Sequence, residues 1–257
     1  MLEHLLPSYF EWWNIPFLFL AGLAGESFGS LIGGGSLITL PALLFVGAPL
    51  QSAVAINTAA ALGTEAGILS ETHKKVFEHK KLVMLMAIPV FAGGIVGTHL
   101  LLHVPRSAIK YSVITAMVAV LAYNYLSKKK PTPETVSRKS YVALIVFCFF
   151  IGLYTNFVSI GEGTFSKVGL MSILGLTFIQ SQGLKSTATM PTRIYSLVVT
   201  AINGLIIWPY LLTKWCSNFI AGKYATKIAK KLPEQHIQIV LNCFTIIFIL
   251  YLIFFYK

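Results

Sequence analysis

The chain has 257 residues, 56% of them hydrophobic and only 11% charged, and its 20 Lys and Arg against 9 Asp and Glu give a net charge of +11. Soluble domains carry about 25% charged residues, so this composition excludes a water-soluble enzyme, a disordered chain and a small disulfide scaffold and predicts an all-α, polytopic membrane protein. The three cysteines, Cys148, Cys216 and Cys243, lie far apart with neither CxxC nor zinc spacing, so neither a disulfide framework nor a metal centre is expected.

The first 14 residues hold Glu3 and Glu11 but no Lys or Arg, the reverse of a signal-peptide n-region. The apolar run that follows is therefore expected to be a retained membrane segment. A helix needs about 20 apolar residues to cross the hydrocarbon core. Residues 15–32 run into Gly33-Gly34-Gly35, and 36–46 are then too short for a span, with Pro41 removing a helical donor. Residues 52–72 qualify as a span despite internal charge, and Lys74, Lys75, Lys80 and Lys81 follow in a loop over 73–81. Spans are predicted at 82–103 and 108–127, then a polar Lys-Pro-Thr-Pro linker near 128–140. The span at 141–160 meets a second break, Gly161-Glu162-Gly163, followed by the short run 164–174. Residues 184–211 read as one further span, 215–232 as an element with a Lys-rich face lying partly in the interface, and 236–256 as the last span. With the two glycine-interrupted segments read as broken or re-entrant helices, about 7–9 conventional spans remain.

A shift of 128 residues aligns the punctuation of the two halves. Gly33 and Gly35 meet Gly161 and Gly163, Gly47 meets Gly175, Thr64 meets Thr192, Gly94 meets Gly222, and Pro105 meets Pro233. The expected organisation is two tandem transmembrane repeats, 1–128 and 129–257. Equivalent loops carry opposite charge bias: 73–81 holds four lysines, its counterpart 201–209 none, whereas 227–233 holds three lysines against one arginine in 101–107. Such a bias is expected of repeats inserted in opposite orientations, with the acidic N-terminus outside and the linker inside. The basic excess is thus read as cytoplasmic loop charge, and no nucleic-acid partner is expected.

Glycine triplets at membrane depth let the backbone leave the helix and expose N–H groups, and a helix starting there presents its positive dipole end to an anion. Close helix packing is the competing use of such glycines. Charged residues inside apolar spans mark function more often than not; here they are Glu26, Glu65, Glu162, Lys167, Lys185 and Arg193. The 128-residue shift sets Glu65 on Arg193 and Asn57 on Lys185, and within each helix Asn57 and Glu65, or Lys185 and Arg193, are eight residues apart and close to one face. Asn57 and Lys185 are expected to approach a bound anion beside the glycine breaks, and Glu65 and Arg193 to pair, gate or relay a proton, or to form a purely structural ion pair. Glu162 would either be protonated when the anion binds or cap a helix N-terminus. The candidate binding set is Gly33, Gly34, Gly35, Asn57, Thr58, Gly161, Glu162, Gly163, Lys185, Ser186 and Thr187, with Glu65 and Arg193 as coupling or gating residues. His99 and His103, four apart, read as interface histidines. Gly25-Glu26-Ser27-Phe28-Gly29 matches GxSxG, but that motif needs a strand-to-helix elbow, and this segment is an apolar helix.

The first repeat carries Gly22-Leu23-Ala24-Gly25, Ile32-Gly33-Gly34-Gly35-Ser36 with Pro41, Gly47-Ala48-Pro49, Ala53-Val54-Ala55-Ile56-Asn57-Thr58, and Gly93-Gly94-Ile95-Val96-Gly97-Thr98. In these motifs the chain resembles the sulfite exporter TauE/SafE family. The second half resembles it less closely, with Gly161-Glu162-Gly163 in place of three glycines and Gly169 where the family has proline, although Gly204-Leu205-Ile206-Ile207-Trp208 matches a span ending. The resemblance implies a two-repeat permease in the bacterial cell membrane that moves small anions such as sulfite, sulfonates or related organic acids, with protons as a candidate coupling ion. No GxxxxGK[ST] run occurs, no cofactor is expected, and energy would come from an ion gradient or a partner. Alternating access around a midplane site is the expected mechanism. The rival readings are a permease for a carboxylate or a metal cation, and an intramembrane enzyme or assembly factor.

Overall fold

The computed structural model describes residues 10–32, 34–105, 107–112, 114–115, 138–174, 176 and 178–228, and all regular structure among them is helical. The helices are α1 (Asn14–Ile32), α2 (Ser36–Phe45), α3 (Leu50–Glu78), α4 (Lys80–His103), α5 (Arg138–Phe157), α6 (Glu162–Leu174), α7 (Phe178–Ile202) and α8 (Trp208–Ile228), with 107–112 and 114–115 also helical. Two stretches among the described residues, Leu50–His73 and Lys80–His103, are long and apolar enough to cross a membrane. The remainder of the span predicted at 108–127 and the whole of 236–256 lie outside the described residues.

Polarity runs opposite to that of a soluble bundle. Along α7 the polar residues Gln182, Lys185, Thr189, Arg193, Ser196 and Thr200 recur every three or four positions and are buried, while Ile194, Val198 and Ile202 are more than half exposed. Met84 and Ile88 on α4, and Val142, Val146 and Phe150 on α5, are likewise exposed. Exposing an aliphatic face while hiding a charged one suits lipid, where the bundle interior is the more polar surrounding.

Small residues set the helix pairings. On α3, Gly63 and Gly67 are four apart, and a Cβ on either would strike the backbone of α8 at Trp215 or Phe219; on α4, Gly93 and Gly97 stand in the same relation to Phe149 and Leu153 of α5. Both are the small-xxx-small spacing that lets membrane helices approach closely. Further contacts set directions. Asn14 with Tyr210 and Gly22 with Ser217 run α1 parallel to α8. Thr72 near Gly183, Glu65 with Thr189, and Thr58 with Arg193 run α3 antiparallel to α7. A Cβ at Gly94 would fall on Thr192, and one at Gly222 would lie against the backbone of Thr64.

The first glycine interruption falls between elements, whereas of the second only Gly161 does, with Glu162 and Gly163 forming the first turn of α6. α1 ends at Ile32 and α2 begins at Ser36, and α5 ends at Phe157 before α6 starts at Glu162. In the second break Ser159 (φ 63°) and Gly161 (φ 66°) both take left-handed backbone, which is costly for serine. The expectation of one span over 184–211 is corrected: α7 stops at Ile202 and α8 starts at Trp208. Gly204, at φ 71°, closes α7 through Gly204 N–H to Ala201 O (3.0 Å) and Leu205 N–H to Thr200 O (2.9 Å), the paired bonds of a Schellman stop. The element expected at 215–232 accordingly begins earlier, at Trp208, and its helix is described as far as Ile228.

Candidate functional site

Where the two breaks meet, a partly open cavity of about 50 Å³ is lined by residues of α1, α2, α3, α6 and α7. Both short helices point their N-terminal ends at it, through Gly35 and Ser36 of α2 and Glu162 and Gly163 of α6. Ser36 Oγ accepts from Gly161 N–H at 2.8 Å and so ties one break to the other.

The charged centre draws on α3, α6 and α7. Arg193, fully buried, donates through Nε to Glu65 Oε1 (2.6 Å), through Nη2 to Glu162 Oε1 (2.6 Å) and through Nη1 to Thr58 O (3.1 Å). Lys185 Nζ donates to the same Glu162 Oε1 at 2.7 Å and stands 3.8 Å from Glu65 Oε1. Thr189 Oγ1 donates to Glu65 Oε1 at 2.5 Å. One carboxylate oxygen of Glu162 thus sits between two cations, as a bound anion would, while its Oε2 has only long contacts to Thr155 Oγ1 (3.4 Å) and Ser166 Oγ (3.5 Å). Partnered charges of this kind are how a low-dielectric interior tolerates ionised groups.

A second network lies alongside. Asn57 Oδ1 accepts from Thr39 Oγ1 (2.6 Å) and Lys214 Nζ (2.7 Å), and Asn57 Nδ2 donates to Ser159 Oγ (3.1 Å). Lys167 Nζ reaches back to Gly29 O (3.0 Å) and Ser30 O (3.1 Å) near the C-terminal end of α1, where a cation complements the helix dipole. Glu26 accepts from Thr64 Oγ1 at 2.9 Å. Three carboxylates, Glu26, Glu65 and Glu162, therefore share this region with four basic side chains, Lys167, Lys185, Arg193 and Lys214.

Of the residues expected at a site, Gly35, Asn57, Glu65, Glu162, Gly163, Lys185, Ser186 and Arg193 line the cavity. Glu65 and Arg193 are in direct contact. Thr58 contributes its carbonyl to Arg193 from just outside, and Gly161 contributes its N–H to Ser36. Gly34 accepts from Leu37 N–H at 2.9 Å, and Gly33 lies outside the described residues. Thr187 does not line the cavity; its hydroxyl bonds back to Gly183 O at 2.9 Å. Gly25 and Gly29, the glycines of the GxSxG match, serve packing: a Cβ on either would collide with Gly35. His99 Nε2 lies 3.1 Å from Tyr195 Oη, and His103 Nδ1 lies 2.8 Å from His99 O. No cluster of three His, Cys, Asp or Glu fit to hold a metal occurs among the described residues.

The candidate set omits Lys214, Ser159 and Gln182. Lys214 is a lone charge within the apolar run from Gly204 to Ala221, the same signal that picks out Lys185. It falls in the gap between the elements expected at 184–211 and 215–232. Ser159 gains its place through an unusual φ, which no residue pattern announces.

The family model described as Sulfite exporter TauE/SafE matches residues 18–252. Among curated relatives, the probable membrane transporter protein ORF9 of Sinorhizobium sp. is 24% identical over 84% of this chain and 83% of its own length. A probable membrane transporter protein of Haemophilus influenzae is 24% identical over 82% and 83%, and the probable membrane transporter protein YfcA of Escherichia coli K12 is 23% identical over 86% and 82%. No solved structure matches the chain. With a match across both halves, from α1 to beyond α8, and transporter relatives aligned over most of their length, this chain is a membrane protein belonging to the sulfite exporter TauE/SafE family.

Proposed function

We propose that this protein is a secondary transporter that exports a small oxyanion, sulfite or an organosulfonate, across a bacterial cell membrane by alternating access around the cavity between the two breaks. The carrying observation is the position of Glu162 Oε1, held at 2.6–2.7 Å by both Arg193 and Lys185 at the mouth of two helix N-termini. That carboxylate stands where a substrate oxygen would stand. An incoming anion takes over these donors when Glu162 leaves them, and protonation of Glu162 is what frees them, so a proton accompanies the anion. A cation permease is disfavoured because Lys185 and Arg193 both direct their donors at the one point that Glu162 Oε1 occupies.

The architecture proposed is two inverted repeats. Its support is that α1 to α4 correspond in order and offset to α5 to α8, that the equivalent helices α3 and α7 run antiparallel, and that the equivalent pairs Gly94–Thr192 and Gly222–Thr64 are both close contacts. Such geometry puts a substrate site on the pseudo-twofold axis. Glu65 and Arg193, themselves equivalent positions, pair on that axis and are assigned the gate.

Proteoliposomes loaded with sulfite should release it through the purified protein, and Lys185→Ala should abolish most of that release while still inserting and eluting as a single species. Release at the wild-type rate by Lys185→Ala would take Lys185 out of the site. Absence of sulfite flux from the wild type would overturn the reading.

A further inference from the structure

The last four carbonyls of a helix have no partner within it, and that end of the helix carries partial negative charge. At the end of α1 the group that meets two of them comes from the other half of the chain. Lys167 of α6, 4% exposed, places Nζ 3.0 Å from Gly29 O and 3.1 Å from Ser30 O. Ser30 Oγ, on the same turn, is buried without a hydrogen-bond partner, and Glu26, one turn earlier, lines the same cavity as Gly29, Ser30 and Lys167. Two carbonyls, a hydroxyl and a carboxylate form an all-oxygen set, the donor chemistry that suits a hard cation. In transporters built from inverted repeats, helix ends exposed by a break are where a coupling cation sits. Here the cation belongs to the chain.

The other break shows that a break needs no ammonium of its own. Under the 128-residue offset Lys167 falls on Thr39, and Glu26 falls on Tyr154. Thr39 Oγ1 donates to Asn57 Oδ1 at 2.6 Å, and the Tyr154 hydroxyl donates to Ile160 O in its own break. The lysine and the glutamate are thus additions to one half rather than requirements of the architecture.

We propose that the broken end of α1 is a monovalent-cation site, and that Lys167 Nζ is a tethered cation filling it in place of a sodium ion. This rests on the transporter reading and deepens it by naming a coupling ion that the protein does without. Lys167 is a positioning residue: its charge holds the end of α1 against α6, the helix that presents Glu162 to the cavity. Lys167→Ala takes the ammonium away and leaves Gly29 O, Ser30 O and Ser30 Oγ open to an ion from solution.

The test melts the purified full-length protein in sodium, potassium and choline chloride at equal ionic strength. The wild type should melt at one temperature in all three, and its sulfite efflux from proteoliposomes should be equal in sodium and in choline. Lys167→Ala should melt below the wild type in choline, and sodium should raise it more than potassium does. Its efflux should fall about tenfold when choline replaces sodium, a size usual for coupling between two sites. Lys167→Arg keeps a fixed charge and should stay independent of sodium.

Sodium dependence of the wild type, in melting or in efflux, overturns the proposal, because the site would then already take an ion. Equal response of Lys167→Ala to all three salts also overturns it, since the lysine would then be a structural tie and nothing more. Should Lys167→Ala not fold in choline, its recovery in sodium alone supports the site. Lys167→Gln, which keeps a donor and loses the charge, is read in the same way, and failure of both to fold in sodium overturns the proposal. Absence of sulfite flux from the wild type would end the transporter reading, while the melting temperatures would still decide the cation site.

Discussion

Two buried cations with opposite surroundings, Arg193 and Lys214, separate structural from functional charge. Arg193 satisfies two carboxylates and a backbone carbonyl at once. Removing it in Arg193→Met would leave Glu65 and Glu162 to share only Lys185, and stripping one partner from a buried pair costs about 3–5 kcal/mol. We expect a large fall in melting temperature, and the double variant Arg193→Met with Glu65→Gln should recover a good part of it; a double variant no more stable than the single one would deny the coupling. Lys214 has only Asn57 Oδ1 as its polar partner and forms no ion pair among the described residues. Lys214→Met is therefore expected to be neutral or stabilising in a thermal melt and to slow anion efflux, since it removes positive potential beside the cavity at no loss of a partnered charge. At this scale the sequence was informative wherever a charge interrupted an apolar run, as at Glu65, Glu162, Lys185 and Arg193. It was silent on uncharged groups such as Gln182 and Ser159, whose places depend on how α7 is rotated and on a left-handed backbone in the break.

The helices are joined where side chains are absent. Gly67 brings α3 against the α8 backbone at Phe219, Gly222 and Lys223, and a side chain there must push the whole helix away, because backbone cannot change rotamer. Gly67→Leu should thus cost more than the about 1–3 kcal/mol usual for overpacking, seen as loss of a single symmetric peak in size-exclusion chromatography. Gly204 differs, since nothing lies within 4 Å of where its Cβ would be and only its φ of 71° is at stake. Gly204→Ala should lower stability by about 1–2 kcal/mol and leave efflux unchanged. Were Gly204→Ala as disruptive as Gly67→Leu, the distinction between backbone contact and backbone conformation would fail. Glycine spacing pointed to the first break after Ile32, and it set the second at Gly161-Glu162-Gly163, a few residues past the end of α5 at Phe157, because the turn there begins at residues that carry no glycine signal. The stop at Gly204 was read through, since one glycine inside a hydrophobic stretch fits a span as well as its end; the decisive fact is a positive φ.

At the scale of the whole molecule, loop charge and helix direction are independent signs of insertion, and they agree. The loop expected over 73–81 is helical except for His79, and the junction of α3 and α4, with Lys80 and Lys81 just after it, lies at the same face as the end of α8, as the 3.3 Å pair between Lys227 and Glu71 requires. Because α3 and α7 are antiparallel, the turn after α7, which carries no charge between 203 and 207, lies at the other face. On the proposed inverted-repeat reading, the positive-inside rule predicts Lys80 in the cytoplasm and Asn203 outside. Lys80 and Asn203 are both exposed, so each can be replaced by cysteine after the three native cysteines are changed to serine. In intact cells an impermeant maleimide should label Asn203→Cys and spare Lys80→Cys; inside-out vesicles should reverse the pattern. Labelling of both from the same side would refute the inversion, and with it the pseudo-twofold axis on which Glu65 and Arg193 are assigned the gate.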